Sequence, residues 1–211
     1  MFDRRFIAAT IVAGVFLTSC GQPVLRSTYV PQSAASAELT SRACYVTPQK
    51  PRNVTATITF YGWPDNTPPG NAIAHPVIHN VASGSGTWCN PTTFATEPTV
   101  AENKLIPYGI KIYVPFLKQY FVREDDCTPS GPSTGSGNNG CYRVWFDLWI
   151  GGDGKSNVNA LVNCELSMTP PAKVQVILYP KATMPVAHPG PIYSDTPTPN
   201  GTCYGKPGSP I

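Results

Sequence analysis

From about Asn53 to Tyr179 the chain runs in short stretches of alternating apolar and polar residues, punctuated by Gly, Pro and Asn. Val54, Ala56, Ile58 and Phe60 alternate with Thr55, Thr57, Thr59 and Tyr61, the period of two that marks a half-buried strand. Trp63-Pro64-Asp65-Asn66 closes it in a turn, and a loop-rich stretch with Gly84, Gly86 and Pro91 follows to about Glu97. Pro107-Tyr108-Gly109 leads into Ile110, Ile112 and Val114, again in alternation, and further strands are predicted over Gln119 to Arg123 and Val174 to Tyr179. The most informative stretch is Tyr142 to Gly152. As a strand it places Val144, Phe146, Leu148 and Ile150 on one face and Arg143, Trp145, Asp147 and Trp149 on the other.

Composition agrees with a single all-β domain. The 211 residues include 24 Pro, spread from Pro23 to Pro210, and an interior Pro costs a helix a hydrogen bond and clashes with the preceding turn. Coiled coils, helical bundles and helical repeats are thereby excluded. Hydrophobic residues at 41% suffice for a core. The net charge is +3 with no cluster of Lys and Arg, which argues against nucleic acid as a partner.

The first residues read as a targeting segment: Arg4 and Arg5 precede an apolar run, Phe6 to Leu17. Leu17-Thr18-Ser19-Cys20-Gly21 then resembles the lipobox of bacterial lipoproteins, with Cys20 as the lipidated residue. An ordinary secretory signal containing a Cys is the rival, and both export the chain. The expected organisation is a lipoprotein signal peptide over 1–19, the lipidated Cys and a tether over 20–52, a barrel over 53–179 and a Pro-rich extension packed on the barrel over 180–211. At most a short helical turn is expected in the tether, near Ala34 to Ala43. Gly21 after the Cys, in place of the Asp that retains many lipoproteins in the inner membrane, points to the outer membrane.

Cys44, Cys89, Cys127, Cys141, Cys164 and Cys203 remain, an even set in an exported chain, and three disulfides are the natural reading. Spacing singles out Cys127 with Cys141, at the ends of the low-complexity loop Thr128 to Gly140, which reads as flexible. No C-x2-C pair exists and the three His are scattered, so neither a metal nor another cofactor is expected. His75 and His79 are four apart, but Pro76 prevents a helix between them, and both read as loop histidines.

A carboxylate between two indoles has the chemistry of a polysaccharide subsite. Sugar C–H faces stack on aromatic rings, while hydroxyls and glycosidic oxygens need polar or acidic partners. The alternative is a second buried face with Asp147 paired to Arg143.

A longer set of motifs bears on that choice. Tyr61-Gly62-Trp63-Pro64-Asp65-Asn66, Gly86-Thr87-Trp88 with Pro91 and Phe94-Ala95, Pro107-Tyr108-Gly109, Ile112-Tyr113-Val114-Pro115 and Leu117-Lys118-Gln119-Tyr120 come first. Glu124-Asp125-Asp126-Cys127, Phe146-Asp147-Leu148-Trp149-Ile150-Gly151-Gly152 and Asn163-Cys164-Glu165 continue the order. Together, over roughly Asn53 to Tyr204, they resemble the secreted expansin-like proteins of fungi and bacteria. The resemblance implies a six-stranded double-psi β-barrel, the fold of expansins, family-45 endoglucanases, rare lipoprotein A and the three-Asp domain of membrane-bound lytic transglycosylase A. It also implies that Asp147 lies in the polysaccharide groove and, in an enzyme, is the proton donor. The family often has His two residues earlier, where this chain has Trp145. Asp126 matches an acidic position of the three-Asp pattern, and Asp65 lies near the base of the family-45 enzymes. Tyr61, Trp63, Trp88, Trp145 and Trp149 are the implied substrate-binding aromatics.

The leading expectation is a lipid-anchored envelope protein that binds or loosens cell-wall polysaccharide, with peptidoglycan the polymer within reach of the anchor. The alternative is a glycan-cleaving enzyme, a lytic transglycosylase or endoglucanase-like hydrolase with Asp147 as general acid. A lytic transglycosylase needs one carboxyl group, whereas an inverting hydrolase needs a second, which Asp65 would supply. A structural or host-interaction role is the third possibility. No G-x-S-x-G, H-E-x-x-H or phosphate-cradling loop offers another chemistry.

Overall fold

A computed structural model describes residues 44–45, 49–127, 144–195 and 201–205. The leader with Cys20, most of the tether, the loop Thr128 to Gly140 and Cys141 lie outside the described residues.

Six strands close into a barrel: β1 (Arg52–Tyr61), β2 (Thr92–Thr96), β3 (Lys111–Val114), β4 (Gln119–Asp126), β5 (Trp145–Trp149) and β6 (Val174–Leu178). Their order around the wall is β1-β5-β2-β4-β3-β6. β1 and β5 pair in parallel, as do β2 and β4, and the other neighbours are antiparallel. The strands predicted from alternation are present. β2 is an addition to them: Thr92–Thr96 is buried at every position, so it shows no alternation and reads as part of the long loop before it.

Among the described residues, two α-helices join the strands, α1 (Val100–Leu105) and α2 (Val158–Met168). Neither helix is expected from the sequence, and α2 is the longer one. It occupies a Pro-free interval, the Asn157 side chain accepts from Ala160 N at its start, and Pro170-Pro171 follow its end. Leu161, Cys164, Glu165 and Met168 form its buried stripe at helical spacing.

Ile58, Phe94, Ile112, Phe121, Phe146, Leu148, Val176 and Leu178 fill the barrel interior. Each such side chain contributes on the order of 1.5–3 kcal/mol through burial. A second, smaller cluster of Tyr61, Ala82, Ala95, Cys127 and Trp149 lies apart from the interior, with Trp63, Ile73 and Trp145 packed against it. It forms where the connection from Gly62 to Pro91 packs over the outer face of β1, β5 and β2.

Disulfides join Cys44 to Cys89 and Cys164 to Cys203, the latter tying α2 to the hairpin of β7 (Tyr193–Ser194) and β8 (Thr202–Cys203). Cys127 is also disulfide-bonded, and the expected partner Cys141 lies outside the described residues. The chain after β6 is fastened to the barrel through backbone carbonyls: Tyr120 Oη donates to Lys181 O, Tyr113 Oη to Pro185 O and Gln119 Nε2 to His188 O, each at 2.7 Å.

Candidate functional site

Asp147 lies in the middle of β5, on the face turned away from the barrel core. It is in register with Thr59 of β1 on one side and Ala95 of β2 on the other, and Ala95 is in turn opposite Asp125 of β4. A row Thr59, Asp147, Ala95, Asp125 therefore crosses four neighbouring strands. Strands stand about 4.8 Å apart, so the backbones at Asp147 and Asp125 are roughly 10 Å apart. Ala95, the residue between them in the row, carries only a methyl group.

The Asp147 carboxyl group is oriented by a short relay. Trp145 Nε1 donates to Thr59 Oγ1 at 2.8 Å, and Thr59 Oγ1 donates to Asp147 Oδ1 at 2.8 Å. Because the hydroxyl oxygen already accepts from the indole, its own hydrogen is directed to the carboxyl group. Arg143, the alternative partner of Asp147, lies outside the described residues. Burial pushes the Asp147 pKa up to about 7, against the lowering effect of the Thr59 bond and with help from the charges of Asp65 and Asp125. At neutral pH this carboxyl group is divided between its acid and base forms.

Besides Asp147, three carboxyl groups lie in the row or beside it. Asp125 accepts from Tyr61 Oη at 3.1 Å, from Ala74 N at 3.0 Å and from Asp126 N at 2.9 Å, and burial raises its pKa. Asp65, in the short 3-10 turn Trp63–Asp65, accepts from Gly62 N at 2.7 Å and acts electrostatically on Asp147. Glu165, on the buried stripe of α2, lies close enough to Asp65 for the two carboxyl groups to act on each other. Among the described residues, no group of three or more His, Cys, Asp or Glu is arranged to hold a metal ion.

Asp126 is not brought to Asp147. Its carboxylate meets Arg123 Nη2 at 3.0 Å, His75 Nε2 at 2.8 Å and Tyr108 Oη at 3.1 Å, a cluster of its own. The cause is a shift of register in β4, where Phe94 is opposite Arg123 but Ala95 is opposite Asp125. Simple alternation from the core residue Phe121 would turn Asp125 inward, whereas the bulge turns it outward beside Tyr61.

The aromatics divide as well. Trp63 and Trp145 are half-buried at the site, whereas Tyr61 and Trp149 are 6% and 4% exposed and pack edge-to-face with each other. They form a floor beneath the loop, not an open stacking surface. Trp88 is elsewhere. Its Nε1 donates to Cys44 O, Lys111 Nζ stands 3.8 Å from its ring centre, and it packs edge-on against Tyr120. Tyr120 lies five positions before Asp125 on β4, which is roughly 16 Å along a strand.

Both loop histidines clamp the connection from Gly62 to Pro91 onto β4. Fully buried Glu124 accepts from the backbone N–H of Val77, Ile78 and His79, from the His79 ring at 2.6 Å and from Thr93 Oγ1. Burial opposes the charged imidazole, but hydrogen bonds to Glu124 and Asn90 outweigh it and raise the His79 pKa. Thr59, Asp125 and Glu165 were missed as site residues. Thr59 and Asp125 depend on strand register and Glu165 on a helix, and none of these signals is local.

Residues 53–204 match the model for one family, the DDB_G0273701 N-terminal domain. The chain belongs to that family. The matched span contains Thr59, Asp65, Asp125, Asp147 and Glu165, so all the groups of the site lie within the family domain. An uncharacterized protein of Dictyostelium discoideum is 36% identical over 143 residues, which cover 67% of this chain and 58% of that relative. The chain thus spans less than two thirds of the relative's length. No solved structure matches the chain.

Proposed function

We propose that this protein binds cell-wall polysaccharide, peptidoglycan first, along the outer barrel face that carries Asp147, as an expansin-like double-psi β-barrel. The observation that carries the reading is the Trp145, Thr59, Asp147 relay: a carboxyl group held in one orientation beside half-buried indoles, on a face walled by a clamped loop. Polar groups fixed against aromatic surface are what a sugar ring needs. Two parallel strand pairs in an otherwise antiparallel closed barrel support the double-psi topology. The lipobox-like run around Cys20 supports an anchor in the envelope, within reach of the glycan.

A second reading, glycan cleavage, is favoured by one observation: Asp147 has a pKa near 7 and Asp65 acts on it electrostatically. The Asp147 proton would pass to the glycosidic oxygen as its bond to the anomeric carbon breaks. The new bond to that carbon would come from water activated by Asp65, or from a hydroxyl of the sugar itself.

Co-sedimentation with purified sacculi, cellulose and chitin, combined with assays for new reducing ends and anhydro-sugar products, tests both readings. Retention on at least one polymer without new ends is the result expected for binding, and new ends or anhydro products establish cleavage. No retention on any of the three removes the glycan reading.

A further inference from the structure

Glu165 is an acidic residue on the buried stripe of a helix, 7% exposed, and its Oε1 has no hydrogen-bond partner. A carboxylate so placed is costly unless it is neutral or paired. The charge nearest to act on it is that of Asp65, in the turn that Gly62 opens. Gly62 makes this approach possible. A Cβ there would stand 2.6 Å from Leu161 Cδ2 and 3.0 Å from Glu165 Oε1, so α2 comes close under the turn only because position 62 has no side chain. The Gly62 N–H meanwhile donates to Asp65 Oδ2 at 2.7 Å. Asp65 is therefore held by an amide of its own turn, and the helix passes close against that turn.

We propose that Glu165 is a positioning residue: as a neutral carboxylic acid it donates its proton to the Asp65 carboxylate and holds that carboxylate at the edge of the Asp147 groove. The role rests on the glycan reading, since Asp65 is the second carboxylate of that groove. Two carboxyl groups in contact share one proton more easily than both ionise, and the buried one keeps it. Burial first, then the bond to Asp65 and the charges of Asp65 and Asp147, push the Glu165 pKa up to about 9. The titratable groups acting on Glu165 are thus Asp65 from the turn and Asp147 from β5.

The Gly62 amide proton reports on the pair directly, because it is bonded to the Asp65 carboxylate. Its NMR shift would be followed from pH 6 to 10 in the wild-type chain, Glu165→Gln and Glu165→Leu. In the wild type it should titrate with a midpoint of about 9. In Glu165→Gln, whose amide still donates but does not ionise, the titration should vanish while the neutral-pH shift stays near that of the wild type. In Glu165→Leu the shift should be displaced at every pH. The proposal is overturned if the wild-type resonance shows no such midpoint, if the midpoint survives in Glu165→Gln, or if Glu165→Leu leaves the neutral-pH shift in place. Should Glu165→Leu not fold, the first two criteria decide. All readouts use the free protein, so a failure to bind sacculi, cellulose or chitin tells against the glycan reading without altering them.

Discussion

The indole of Trp145 and the carboxyl group of Asp147 meet on one atom, Thr59 Oγ1, each at 2.8 Å. The two residues lie on the same face of β5, and the hydroxyl between them comes from the parallel neighbour β1. Thr59→Val should therefore leave the indole N–H unpaired and lower stability by about 1–3 kcal/mol in chemical denaturation. Asp147→Asn, whose amide oxygen still accepts from Thr59, should fold normally and keep glycan binding while losing any cleavage. Unfolding of Asp147→Asn would show that the carboxyl group is structural.

The same carboxyl group makes stability depend on pH. Its folded pKa, about 7, lies above the ordinary 3.8, so between these values the folded chain holds more of the proton than the unfolded chain. Its contribution is complete below about pH 4 and is lost as pH rises through about 7. Denaturation of the wild type and Asp147→Asn across this range should show the wild type losing stability relative to the variant as pH rises. A constant difference between the two would contradict the shifted ionisation.

Exposure separates the aromatics. Trp145→Ala should weaken polysaccharide retention by about 1–3 kcal/mol, whereas Trp88→Ala, at a residue packed on Tyr120 roughly 16 Å along β4 from Asp125, should not change it. Buried Trp149 should behave as a core residue, with Trp149→Ala costing about 3–5 kcal/mol of stability. Binding isotherms and melts of the three variants check this division.

The His79–Glu124 clamp predicts a second pH effect. The raised His79 pKa gives a contribution present below 6.5 and lost as pH rises through the folded value. The lowered Glu124 pKa gives one present above 4.5 and lost as pH falls through the folded value. The pair is thus most stabilising between about pH 4.5 and 6.5, where the gap between wild type and His79→Ala should be widest. Melting curves and limited proteolysis of the loop from Gly62 to Pro91 measure it. A gap that instead widened toward alkaline pH would rule out a charged clamp.

Cys20→Ser should yield an unlipidated chain that leaves the membrane fraction on detergent partitioning. Equal membrane recovery of both forms would remove the lipoprotein reading.

Local signals made part of the site legible. Alternation through Phe146, Leu148 and Ile150 already placed Asp147 with Trp145 and Trp149 on the opposite face, because side-chain direction in a strand depends on sequence parity. Trp149 keeps that direction yet is buried, since direction says nothing about what later packs on top. The acidic run Glu124-Asp125-Asp126 shows the limit more sharply. Three adjacent carboxyl groups serve as a loop clamp, the partner of Tyr61 and the partner of Arg123 and His75, and only the bulge opposite Phe94 and Ala95 tells which is which.

The sequence by itself determined the strand-rich class, most strand positions and the direction of Asp147, because these follow from Pro placement and from a period of two. Tertiary structure alone decided that Thr59 stands beside Asp147, that Asp125 and not Asp126 shares its row, and that α2 brings Glu165 beneath Asp65. Each of these depends on pairing across 30 or more residues of chain, where register, a bulge and the close approach allowed by Gly62 set the contacts. Such choices are made by the packing of the whole barrel, which no local window of sequence contains.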